Sequence, residues 1–178
     1  LLSFSEQYSL LLANLLFGHL IFTSDNIIEY NEMKMKLYTS IFPLMIIEEP
    51  QVSFHNDFYI INFHIKDRYY LALINVSNYS KMYKLPSSLF FDNQTDELIK
   101  GDKRIEIPKH TSKCLLNVGH TPFGVAGSKG HFFSGTEIEN IYMSGNSIEL
   151  DWTNDILNEV VVYIKVPLDY EVTRVNNS

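Results

Sequence analysis

The alternation of apolar and polar positions divides the chain at Pro43. Before that point the spacing is helical: Leu10, Leu11, Ala13, Asn14 and Phe17 predict a helix over 4–17, with Ser5 as its cap and Gly18 as its stop. Leu20, Ile21 and Phe22 form a short, wholly apolar run, the mark of a strand at 19–23 buried on both faces of a parallel sheet. Asp25 or Asn26 then caps a second helix, predicted from 27 to 42. Ile28, Met35, Tyr38 and Ile41 define one face of it and Pro43 ends it.

After Pro43 the period falls to two. Phe58, Ile60, Asn62 and His64 alternate with Tyr59, Ile61, Phe63 and Ile65, which predicts a strand at 57–66, a turn at Asp67-Arg68 and a partner strand from Tyr69 to Val76. Further short strands are expected near 82–85, 89–92, 97–100 and 112–118, separated by Pro86, Asn93 and Pro108, a spacing that indicates an antiparallel sandwich. Gly119 to Gly135 reads as a loop or linker, although Phe123, Val125, Phe132 and Phe133 require something to pack on. Beyond it, strands near 138–143, 147–152, 159–166 and 170–175 form a second β-run, with a hairpin turn at Ser144-Gly145-Asn146. The fold class is therefore mainly β: an antiparallel β-sandwich preceded by an α-β-α segment.

The strand ending at Thr23-Ser24-Asp25 delivers a carboxylate at its C-terminal end, where (β/α)8 barrels keep their active sites. One βα unit cannot close a barrel. The chain therefore reads as the tail of a larger enzyme, with residues 1–43 an α-β-α segment, 44–118 the sandwich, and 119–178 either part of that sandwich or a small added β module. A chain that begins with Leu rather than Met fits a fragment.

Composition narrows the classes of function. With 46% hydrophobic residues in 178, the chain can bury a sizeable core. A formal net charge of −7 and no basic cluster beyond Lys100–Lys113, itself interrupted by Asp102 and Glu106, argue against nucleic acid and anionic membranes. Residues 1–22 are apolar, but Glu6, Asn14, Gly18 and His19 break the pattern of a signal peptide or membrane span. The single Cys114 precludes an intrachain disulfide and reads as a core residue. The Asn-x-Ser/Thr triplets at Asn75, Asn78, Asn93 and Asn176 then count as chance matches, and a cytoplasmic location is expected. His110, His120 and His131 lack metal-ligand spacing, and Gly124-Val-Ala-Gly-Ser-Lys-Gly lacks the order of a phosphate loop, so neither a metal nor a cofactor is expected.

Ser5-Glu6-Gln7-Tyr8, followed by Leu-Leu-Ala-Asn-Leu-Leu-Phe-Gly at 11–18 and Phe-Thr-Ser-Asp-Asn-Ile at 22–27, resembles the end of the catalytic barrel in α-galactosidase-like (melibiase, clan D) glycoside hydrolases. Lys84–Leu98 and Ile105–His110 look like the sandwich domains that close many glycosidases. The resemblance covers residues 5–118 and implies that residues 1–43 are the last helix, strand and helix of a catalytic barrel. It implies a parent enzyme hydrolysing terminal α-linked sugars, α-galactosides first among them, and a catalytic barrel and carbohydrate as partners. Retaining glycosidases need two carboxylates about 5–5.5 Å apart. The resemblance puts both on earlier barrel strands, so no catalytic residue is assigned in this chain and no hydrolysis is expected from it alone.

Asp25 and Ser24 are then candidates for the substrate rim of the site. Asp25 reads equally as a helix N-cap, and the two roles are compatible. Trp152, Tyr69 and Tyr83 are candidates for stacking on a sugar ring, against the plainer reading of strand aromatics as core or cross-strand pairs. Two rival functions stand beside the fragment: a stand-alone carbohydrate-binding β-module, and a structural or oligomerisation domain without a ligand. Residues 1–42, cut from a barrel, are expected either to self-associate into a homo-oligomer or to fold back as helices against the sandwich.

Overall fold

The computed structural model describes residues 2–18, 28, 30–119, 123–144, 147–152 and 160–167. Among them, helices α1 (Phe4–Phe17) and α2 (Glu32–Thr39) precede strands β1 (Glu48–His55), β2 (Phe58–Ile65), β3 (Arg68–Asn75), β4 (Lys81–Lys84), β5 (Leu89–Asp92) and β6 (Glu97–Lys100). Strands β7 (Arg104–Ile107), β8 (Ser112–Asn117), β9 (Gly124–Lys129), β10 (Ile138–Ser144), β11 (Ser147–Trp152) and β12 (Val161–Lys165) follow. Six strands form one antiparallel sheet in the order β1-β2-β3-β8-β5-β6, and the pairs β4–β7, β9–β12 and β10–β11 complete a mainly β, antiparallel architecture. The strand expected at 19–23 lies outside the described residues, as do the turn at Gly145-Asn146 and the strand expected at 170–175.

Strand β3 shows why the fold has two cores. Its side chains alternate sides. Tyr70, Ala72 and Ile74 join Ile61, Phe63, Cys114 and Leu116 in the larger cluster, while Leu71 and Leu73 join Leu115, Phe90, Leu85 and Ile107 in the smaller one. The β4–β7 ribbon covers the smaller cluster, with Tyr83 and Ile105 packed against it. Helix α1 covers the larger one, laying down Tyr8, Leu12 and Leu16 at four-residue intervals. Burial on both faces is why β3 reads as a near-continuous apolar run despite its antiparallel neighbours.

Several local expectations shift. Ser3, not Ser5, caps α1: its hydroxyl accepts from the Glu6 N–H at 3.3 Å, and the Glu6 carboxylate accepts from the Ser3 N–H at 2.8 Å. This reciprocal capping box satisfies two backbone donors, which Ser5 alone could not do, and it holds the Glu6 carboxyl below its ordinary range. The second helix is shorter than expected. Asn31 caps it by accepting from the Lys34 N–H at 2.9 Å, and Ile28 lies outside it. The β2–β3 turn falls one residue earlier than expected, with Lys66 at φ 54° and Arg68 already in strand.

Strands β1 and β7 are absent from the sequence reading for one reason. Glu-Glu-Pro-Gln-Val-Ser-Phe-His at β1 is exposed throughout, and three of the four residues of Arg-Ile-Glu-Ile at β7 lie outside the buried core. A β1 that pairs on one side only, at the sheet edge, needs no apolar period and tolerates Pro50. Asn75, by contrast, is fully enclosed and serves as a polar joint. Its amide donates to the carbonyls of Tyr79, Ile107 and Pro108 at 2.8–3.0 Å, and its carbonyl accepts from the Ser77 N–H. That burial leaves no room for a glycan at the Asn75 triplet.

The glycine-rich segment is not a linker along its described length. Gly124–Lys129 is strand β9, and a Cβ at Gly127 would lie 2.4 Å from the Phe91 ring, so only glycine allows the two strands to approach. The turn after β9 ties helix to sheet. Phe132 stacks on Tyr8 of α1 at 4.7 Å, Phe133 packs on Phe63 and Tyr70, and the Phe132 N–H donates to the Ser40 carbonyl at 2.7 Å. Glu137, buried within the turn, accepts from the His131 N–H and from the Ser128 hydroxyl, each at 2.5 Å.

His131 completes this staple. Its Nε2–H donates to the carbonyls of Pro43 at 2.9 Å and Ile41 at 3.2 Å, and its Nδ1 accepts from the Phe133 N–H at 3.1 Å. Both ring nitrogens are thus occupied in the neutral form, and burial holds the imidazole pKa below its ordinary 6.5, against smaller opposing effects from the carbonyls and Glu137. Between the ordinary and the depressed value the unfolded chain takes a proton that the native chain refuses, so stability is full above pH 6.5 and falls as the pH drops below it. Urea midpoints measured from pH 7.5 down to 5.5 are expected to decline for the native sequence and to stay flatter for His131→Gln. Equal slopes would refute the assignment.

Candidate functional site: a cleft between the helices and the sheet

The residues expected to act on sugar are not gathered in one place. Asp25 and Ser24 lie outside the described residues. Tyr69, near the start of β3, is 62% exposed, has the His64 ring 5.6 Å away, and borders a cleft of about 360 Å³. Tyr83 is half-buried on β4 and packs on Phe58 at 6.1 Å, where burial pushes its hydroxyl pKa up. Trp152 ends β11, half exposed. The three rings sit on three separate sheets.

The histidines are likewise dispersed. His110 meets Asn78 at 3.1 Å, His131 is held by carbonyls, and His64 lies 3.7 Å from the carboxylates of Glu48 and Glu49. Among the described residues no three His, Cys, Asp or Glu converge on a point that could hold a metal. Cys114 is sealed in the larger cluster, and burial raises its thiol pKa far above the usual range, which leaves it inert as a nucleophile.

The larger concavity, about 640 Å³, lies where α1 and α2 meet the ends of the sheet. Helix α1 contributes Phe4 and Tyr8, α2 contributes Lys36, the β5–β6 turn contributes Gln94 and Asp96, and β8 contributes Ser112 and Lys113. Positions so distant in sequence meet here because α1 crosses the sheet over β8 while Phe132 pins Tyr8 from the other side. Two of its lysines already have carboxylate partners: Lys113 pairs with Asp92 and Lys129 with Asp96. Asp92 is 1% exposed and also accepts from the Gln94 N–H at 3.0 Å, so it anchors the wall of the cleft from behind. The Asp96 carboxylate holds the exposed Lys129 ammonium above its ordinary pKa.

The polar lining is incompletely satisfied. The Tyr8 hydroxyl, the Ser112 hydroxyl and Oδ1 of Asp96 are buried with no hydrogen-bond partner, and they are the three such side-chain atoms among the described residues. The Gln94 side chain donates to the Ser112 carbonyl at 3.3 Å and also lies against the Tyr8 hydroxyl. Burial raises the Tyr8 hydroxyl well above its ordinary pKa, so it stays protonated and able to donate. Sequence reasoning missed this cleft. Tyr8 lies outside the spaced positions that mark the helix, and no local motif links it to Asp96 or Ser112.

The fold is a mainly β, antiparallel domain with a two-helix cover, and it is shared with solved enzymes. The chain superimposes on the GH27 β-L-arabinopyranosidase from Geobacillus stearothermophilus with a TM-score of 0.55, at 14% identity, over 66% of its own length. A variant of that enzyme in complex with arabinose gives a TM-score of 0.56 at 13% identity over the same share. In both cases the match spans 31% of the enzyme's chain. Neither a family model nor a curated protein matches the sequence. Among the described residues no helix is long and apolar enough to cross a membrane.

Proposed function

We propose that this chain is the C-terminal, non-catalytic part of a glycoside hydrolase acting on terminal α-linked sugars, with α-galactosides as the first substrates to test. The observation that carries the reading is the fold match to a GH27 glycosidase over 66% of this chain, which spans 31% of that enzyme. The N-terminal residues support it independently, through their resemblance to the end of a melibiase barrel. The chemistry of the neighbour's substrate is compatible: a β-L-arabinopyranoside has the ring configuration of an α-D-galactoside without the exocyclic hydroxymethyl group.

In this reading residues 1–43 are the end of the barrel, and 44–118 form a sandwich that supports it. The turn after β9 and strand β12 belong with that sandwich, because Phe132, Phe133 and Tyr163 pack in its larger core. Asp25 and Ser24 contribute to the substrate rim, and the two catalytic carboxylates come from the barrel. Leu10 and Phe17, exposed on α1, face that barrel. The isolated chain is therefore expected to release no nitrophenol from p-nitrophenyl α-D-galactopyranoside or β-L-arabinopyranoside. Turnover by the purified 178-residue chain, abolished by Asp25→Ala, would overturn the non-catalytic assignment.

A further inference from the structure

Strand register sets one row of side chains across the end of the large sheet. Glu48, His64, Tyr69, Asn117 and Phe90 are successive cross-strand partners on β1, β2, β3, β8 and β5, and such partners share a face. Gln51 and Asn62 pair in the next row of that face. Leu71 and Phe90 on the same face belong to the smaller core, which the β4–β7 ribbon covers. At the row of Tyr69 the cover ends. Gln51, Asn62, Tyr69 and Asn117 are exposed there and line a cleft of about 360 Å³, together with Pro86 and the buried Phe90. That volume falls within the roughly 300–1,000 Å³ of small-molecule sites. From this juxtaposition we propose that the cleft binds one unit of a neutral pyranose sugar. Tyr69 is its stacking ring, and the amides of Gln51, Asn62 and Asn117 bond its hydroxyls.

Each group has the capacity that its role requires. The Tyr69 ring is 62% exposed and is flanked at 5.6 Å by the His64 ring, whose Nδ1–H donates to the Lys66 carbonyl at 3.0 Å. Oδ1 of Asn117 accepts from the Ser88 hydroxyl at 2.5 Å and from the Gly119 N–H at 3.0 Å. Those two bonds fix the amide and leave its NH2 to donate. The side-chain amides of Gln51 and Asn62 make no hydrogen bond among the described residues, so each offers both donors and an acceptor. A sugar hydroxyl donates and accepts, and it meets both kinds of group. A cation cannot accept from the amides, and an anion would meet the Glu49 carboxylate, which also lines the cleft. Stacking a chain of sugars takes several rings, whereas one unit takes one. The inference does not depend on the parent enzyme's activity, since every residue it uses lies in this chain.

Titration of the isotope-labelled 178-residue chain with D-galactose, D-glucose and D-mannose, followed by NMR, tests the proposal. With at least one sugar the side-chain amide signals of Gln51, Asn62 and Asn117 should shift together and saturably, at a Kd on the order of a millimolar. Tyr69→Ala should weaken that binding by about tenfold, and Asn62→Ala by about fivefold. Tyr69→Phe keeps the ring and should lose less than Tyr69→Ala. Tyr79→Ala removes a similarly exposed ring outside the cleft and should leave the Kd unchanged. Because Tyr69 and Asn62 are exposed, the variants should keep the backbone spectrum of the native chain. Absence of saturable shifts with all three sugars would overturn the proposal. So would shifts confined to residues outside the cleft, or an unchanged Kd in Tyr69→Ala.

Discussion

Truncating Phe133 to alanine is expected to remove about 3–5 kcal/mol of stability, a large part of the roughly 5–15 kcal/mol that holds a domain of this size together. The ring is 1% exposed and contacts Phe63 at 5.6 Å, Tyr70 at 5.8 Å and Phe132 at 5.3 Å. Its neighbours cannot close the gap, because the backbone around it is fixed by the Glu137, Ser128 and Ser134 bonds and by the Tyr70 hydroxyl donating to the Ser134 carbonyl at 2.8 Å. Urea denaturation followed by tyrosine fluorescence would show a midpoint shifted far toward water. The experiment also decides what the glycine-rich segment is: a linker would lose less than about 0.5 kcal/mol on the same change.

The second large effect is expected at Lys113. Asp92 is buried on the inner side of β5, and the Lys113 ammonium is its counter-charge, itself only partly exposed. Replacing Lys113 by methionine keeps the aliphatic stem but strands a buried carboxylate, a change that costs about 3–5 kcal/mol in comparable pairs. The double variant Lys113→Met, Asp92→Leu removes both charges, and most of the loss should be recovered. If the single variant is as stable as the native chain, the pair contributes no more than an exposed one and Asp92 does not depend on it.

The parts of this fold that were legible share one property: their side chains report burial by period. Along Phe58–Ile65 and Arg68–Asn75 successive side chains enter two different cores, and helical spacing over 4–17 marks α1, although its buried stripe is Tyr8, Leu12 and Leu16 while Leu10 and Phe17 of the expected pattern are exposed. Where burial carries no period the sequence is silent. β1 lies on the edge and stays polar, and β9 reads as a loop although its Gly127 answers to the Phe91 ring rather than to solvent. The turn at 130–137 was half visible, since Phe132 and Phe133 called for a surface to cover but could not name it.

The site is less legible than the fold for a related reason. Tyr69, Tyr83 and Trp152 were chosen by residue type, yet a stacking face requires rings held side by side, and pairing distributes these over separate sheets. The cleft assembles from α1, a turn and a strand start, so its chemistry resides in tertiary contacts such as Phe132 on Tyr8. Asp25 and Ser24 remain proposals that rest on the resemblance of the N-terminal residues.

The central claim is that this domain works as the tail of a glycosidase. Mass spectrometry of the native polypeptide carrying residues 1–178, purified from its source and assayed on p-nitrophenyl α-D-galactopyranoside, tests it most directly. The account predicts a chain extended on its N-terminal side by roughly 200 residues or more, the size of a (β/α)8 barrel, and a preparation that hydrolyses the galactoside. A native polypeptide of 20.7 kDa without hydrolytic activity would contradict it.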